Sequence, residues 1–133
     1  MTSKSVVDAT DTEQVIQEFA KGESGALAIV TSPRMTAMRQ LIGASAARFR
    51  LPAVYPLRSY VEAGGLASYG ISEVGMYEQA ASIVEPVLKG RRPGEIPVQT
   101  PTRTEFFIKK KVAAELGLQI PASLVTKGAI LLD

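Results

Sequence analysis

Three short apolar runs limit what this chain can fold into: "GALAIV" at 25–30, "LPAVYP" at 51–56 and "GLASYG" at 65–70. None alternates strictly between apolar and polar residues, so each reads as a strand covered on both faces, the habit of a parallel sheet. The stretches between and around them carry a helical period instead. In "TDTEQVIQEFAKG" Thr10 can cap a helix and Glu13 can complete a capping box. Val15, Ile16, Phe19 and Ala20 share one face there, and Gly22 is the stop. "MTAMRQLIGASAARF" sets Met38, Leu41, Ile42 and Ala46 on one side, and 59–63 reads as a brief helical turn. In "SEVGMYEQAASIVEPVLKG" Ser72 is the expected cap. Val74, Tyr77, Ala81, Val84 and Leu88 mark an expected buried face, with Pro86 expected to kink or loosen the last turn. Strands alternating with helices over short connections predict an α/β fold, a parallel sheet with helices on both faces.

The texture changes after Gly90. "RRPGEIPVQTPTR" holds three prolines and predicts an extended connector. The expected organisation is an α/β core at 1–90, a proline-rich connector at 91–104, and a strand, helix and apolar tail at 105–133. That tail carries Leu124, Val125, Ile130, Leu131 and Leu132, to be packed on the core or on a partner subunit.

The 133 residues suffice for one domain with a single hydrophobic core. The chain has neither histidine nor cysteine. It therefore lacks the usual neutral-pH base, the commonest metal ligand, thiolate nucleophiles and disulfides. A formal charge of +2, with eight Tyr and Phe and no Trp, gives no basic stripe with interleaved aromatics, so nucleic acid is not an expected partner. No apolar run approaches a membrane span, and "MTSKSVVDATDTE" lacks the apolar core of an export signal.

Ligands of open α/β sheets collect outside the carboxyl ends of strands. Here those ends are 31–34, 56–59 and 69–73, each with a hydroxyl or a charge, as any strand-to-helix loop also has. Arg58 can hold a carboxylate with two parallel hydrogen bonds, or can be an ordinary surface arginine. Gly64 and Gly65 match no phosphate-loop pattern and are expected to serve a turn and close backbone packing. Glu62 and Glu73 flank this stretch, but nothing in the sequence sets their separation. Lys89, Arg91, Arg92 and Lys109 to Lys111 are expected to be largely solvated.

Five segments in order, "EAGGLASYG" at 62–70, "YEQAA" at 77–81, "LKGRRP" at 88–93, "IPVQTP" at 96–101 and "LGLQIP" at 116–121, carry a family resemblance. The chain resembles the C-terminal part of ABC-transporter substrate-binding proteins of the tryptophan/tyrosine type, from about Asp8 onward. The resemblance implies one Rossmann-like lobe of a type I periplasmic binding protein plus its C-terminal return segment. It also implies that the signal and the first lobe's main sheet are missing from this sequence. By position it places ligand-binding residues at Thr31, Ser32, Pro33, Tyr55, Arg58, Ser59, Ser68, Tyr69 and Gly70, with Gly64 and Gly65 structural. One departure is Lys109, which stands where relatives usually carry Asn.

The function implied is recognition of a small organic solute such as an amino acid, with no catalysis, cofactor or metal. The alternative is a non-transport interaction module on the same lobe, working as a homodimer. A membrane permease is an expected partner only of a full-length protein. The expected location is the periplasm by resemblance, or the cytoplasm if the chain is complete as given.

Overall fold

The structure is a computed structural model that describes residues 4–6, 8–22 and 25–133. Among these residues one five-stranded sheet runs in the order β1 (Leu27–Ala28), β2 (Ala53–Tyr55), β3 (Ala67–Ile71), β4 (Thr104–Lys109), β5 (Ala129–Leu132). β1, β2 and β3 are parallel, β4 runs antiparallel to β3, and β5 is parallel to β4. The result is a mixed, mostly parallel sheet with helices on both sides, the Rossmann-like class expected.

One face carries the larger core. Ile16 of α1 (Ala9–Ala20), Ile42 and Ala46 of α3 (Arg39–Arg48) and Tyr60 of α4 (Arg58–Glu62) close over Ala53 and Tyr55 of β2. The opposite face is covered at one end only. There Ile120 and Leu124 of α7 (Ala122–Thr126) and its approach pack on Ala67, Ile108 and Ala129. β5 joins the sheet through α6 (Lys110–Glu115), which ends where Gly117 takes φ +72°.

Several expectations change in detail. Asp8, not Thr10, caps α1, its carboxylate accepting the Asp11 N–H at 2.9 Å. Thr10 lies inside the helix, and the Thr12 hydroxyl donates back to the Asp8 carbonyl at 2.6 Å. The strand expected over 25–30 shrinks to Leu27–Ala28, and as the sheet edge it leaves Ala28 and Val30 exposed rather than covered. The second helix divides at Met38 into α2 (Pro33–Ala37) and α3. The connector holds one 3₁₀ turn, Pro93–Glu95, and is otherwise irregular.

The largest correction concerns α5 (Glu73–Leu88). Ser72 caps it as expected, accepting the Gly75 N–H at 3.1 Å, and the helix runs through Pro86. Yet none of its 16 residues is buried, and Tyr77 and Leu88 are 73% and 83% exposed. The 3.6-residue stripe exists, but among the described residues nothing lies over it.

Candidate functional site at the strand ends

Because β1, β2 and β3 are parallel, their carboxyl ends open at one edge, and antiparallel β4 brings its first residues, Thr104 and Glu105, to that same edge. After β1, Thr31 is exposed. The Ser32 hydroxyl accepts the Met35 N–H at 3.1 Å to cap α2, with Pro33 in its first turn, where the missing N–H costs nothing. Thr31 and Ser32 line a cavity of about 430 Å³ together with Ile16, Phe19 and Met35.

After β2 the chain enters α4. The Arg58 guanidinium sits 4.8 Å over the Phe107 ring, and its Nε donates to Glu62 at 2.7 Å. Both side chains are more than half exposed, so this pair is worth well under about 1 kcal/mol and exchanges readily for another carboxylate. Ser59 follows, half-buried on the same helix.

β3 ends in Gly70 and Ile71. A Cβ at Gly70 would stand 1.9 Å from the Pro56 carbonyl oxygen, so only glycine lets the loop after β2 lie against β3. The glycine pair upstream separates into two causes. Gly64 takes φ +106° in open space, whereas a Cβ at Gly65 would meet the Tyr55 ring at 2.5 Å and the Tyr60 carbonyl at 2.9 Å.

Two of the expected binding residues lie in the core. Tyr55 is buried and stacks on Tyr60, ring centroids 5.1 Å apart. Burial, followed by the neighbouring Tyr60, pushes its pKa up to about 12, so the phenol stays neutral at any ordinary pH. Ser68 is the cross-strand neighbour of Tyr55 and is also buried. Among the described residues neither its Oγ nor the Tyr60 hydroxyl has a hydrogen-bond partner. Tyr69 points to the opposite sheet face, 60% exposed and edge-on to Phe106. The edge itself thus gathers Thr31, Ser32, Pro33, Arg58, Ser59 and Gly70.

Sequence reasoning missed Glu105. The Ser72 hydroxyl, fully buried, donates to its carboxylate at 2.8 Å, joining the start of α5 to the start of β4. Ser72 is legible as a helix cap, but its pairing with Glu105 depends on the antiparallel register across β3 and β4. Lys109, at the far end of β4, reaches back to the Val61 carbonyl at 3.3 Å. Among the described residues no helix is long and apolar enough to cross a membrane, and no cluster of three or more carboxylates is placed to hold a metal ion.

The sequence profile of the ABC transporter substrate binding protein family matches residues 1–130. No curated protein sequence matches the chain. Among solved structures, a conserved domain protein of Vibrio cholerae superposes with a TM-score of 0.82 at 23% identity, covering 97% of this chain and 43% of that one. An ABC domain from Streptococcus pneumoniae in complex with L-Trp gives 0.78 at 23% identity, covering 93% and 41%. A substrate-binding protein with adhesive properties from Clostridium difficile, in its ligand-free open form, gives 0.71 at 18% identity, covering 99% and 43%. The chain therefore spans less than half the length of these solved chains, and the likeness to them is one of fold. The matched family is a non-catalytic transport component, in line with the expectation that the chain is no enzyme. On the profile match, which covers nearly every residue, the chain belongs to the ABC transporter substrate binding protein family.

Proposed function

We propose that the chain is the solute-recognising lobe of an ABC-transporter binding protein, corresponding to the C-terminal part of the longer relatives. Its solute is a small organic molecule with a carboxylate, such as an amino acid. The observation that carries this reading is the single sheet edge where the loops at 31–34, 56–59 and 70–72 lie side by side. Arg58 supplies a cation there and Thr31, Ser32 and Ser59 supply hydroxyls. Tyr55 and Ser68 act from beneath by shaping the floor, and Tyr69 and Gly70 finish the strand that carries the last loop. Membership in the family favours an extracytoplasmic setting, with a membrane permease as partner of the complete protein.

One lobe encloses little of its ligand, so the affinity of this chain alone is weak, a Kd of about 1 mM, equivalent to about −4 kcal/mol. L-Trp, the ligand named for the Streptococcus neighbour, is the first solute to test. Chemical-shift titration with L-Trp, other amino acids and short carboxylic acids tests the reading. The expected result is millimolar binding with shifts confined to the three loops, weakened in Arg58→Ala. Silence across the panel, or shifts elsewhere, would contradict it.

A second reading, a non-transport interaction module working as a homodimer, is favoured by one observation. The apolar stripe of α5, with Val74, Tyr77, Val84 and Leu88, is exposed.

A further inference from the structure

Glu105 is held differently from the carboxylates around it. Glu13, Glu62, Glu78 and Glu85 each have a lysine or arginine at 2.6–3.3 Å. Glu105 is half-buried and makes no ion pair among the described residues. Its one donor is neutral, the Ser72 hydroxyl at 2.8 Å on Oε1. Oε2 has no hydrogen bond among the described residues, yet protein does not close it off. Withdrawing a carboxylate from water is costly unless a cation or several donors compensate, so this one is short of a positive partner.

The sheet sets where that carboxylate stands. Ser68, Gly70 and Ser72 fall on the face of the larger core, and pairing of β3 with β4 puts Phe107 and Glu105 on that face too. Arg58 rests on the Phe107 ring. Glu105 lies two residues along β4 from Phe107, about 7 Å nearer the strand-end edge. Beside both, the Pro56 carbonyl lies against Gly70, the residue paired with Glu105.

We propose that Glu105 is a second recognition residue of this edge, taking the cationic nitrogen of a solute whose carboxylate Arg58 holds. The inference rests on the reading of the edge as a carboxylate site, and it narrows that site to dipolar solutes. An ammonium and a carboxylate on one carbon, each making a hydrogen bond of about 2.8 Å, span about 8 Å in all. That is close to the step from Phe107 to Glu105. The Ser72 hydroxyl fixes one carboxylate oxygen and leaves the other for the ligand. Glu62 is the other carboxylate beside Arg58, but it is more than half exposed, where an ion pair gains little. Half-buried Glu105 attracts a cation more strongly.

Chemical-shift titration of the full chain with matched pairs tests it. The pairs are L-leucine against 4-methylpentanoate and L-phenylalanine against 3-phenylpropionate, each acid lacking only the ammonium. The amino acids are expected to bind about 10-fold more tightly than the acids. Glu105→Gln keeps an oxygen for the Ser72 hydroxyl, and the urea midpoint checks its folding. It is expected to erase the preference by weakening the amino acids alone. The wild-type comparison stands whether or not the variant folds. Equal binding of both members of each pair to the wild type would overturn the inference and leave the carboxylate site standing, with the partner of Glu105 outside this chain. A preference that survives Glu105→Gln would also overturn it, most clearly if Glu62→Gln removes that preference. Silence of amino acids and acids alike would contradict the carboxylate site itself, and the inference with it.

Discussion

The segment from β2 to β3 and the helix that follows it are neighbours in sequence, and both are rich in apolar residues. In the first, Tyr55 and Tyr60 are almost wholly buried, Gly65 leaves no room for a methyl group, and the backbone of Gly70 meets the Pro56 carbonyl. In α5 none of 16 residues is buried. α5 satisfies the local rules of capping and periodicity yet stays uncovered, whereas α4 has no side-chain cap and buries Tyr60 and Val61, so those rules did not decide burial. What differs is supply of a covering layer: α3 and α4 lie over β2 and β3, while α5 touches little besides the connector, through Arg103 to Glu78 and Gln79 to Gln99. Periodicity states which face wants cover, and tertiary structure determines whether it gets any.

The comparison is broken most forcefully at Gly70. Gly70→Ala drives a methyl group into a backbone carbonyl, and neither side can rotate away. The expected cost is about 3 kcal/mol or more, read as a lower urea midpoint, with Gly65→Val close behind because the Tyr55 ring and Tyr60 carbonyl confine it. A midpoint unchanged in Gly70→Ala would mean that β2 and β3 are not packed as described.

A smaller effect sharpens the same contrast by pH. The Tyr55 pKa is raised from 10.0 in the unfolded chain to about 12 in the folded one. Above pH 10 the unfolded chain loses the proton first, so the stability held below that pH falls as pH rises towards 12, by up to about 2–3 kcal/mol. Urea midpoints measured at pH 8, 10 and 11.5 should show this decline, and Tyr55→Phe should flatten part of it. An equal slope in Tyr55→Phe would place the cause elsewhere.

Legibility in the sequence follows the same line. The three apolar runs and the helix spacing gave the α/β class and the three parallel strands β1, β2 and β3, because those elements are local and consecutive. Ser72 as a cap was legible for the same reason. Met38 was not legible as a break, since its apolar spacing continues across it. The site was legible only as loops. That Tyr55 and Ser68 point inward while Tyr69 points out depends on which face the larger core occupies. The link between Ser72 and Glu105 depends on a register 33 residues away.

Hydrogen exchange of the chain in dilute solution tests the central contrast most directly. The account predicts that amides of β2, β3 and β4 are strongly protected, because their cover comes from within the chain. It predicts that amides of α5, none of whose residues is buried, exchange through frequent local opening. Protection of α5 equal to that of β3 in the dilute sample would contradict the account.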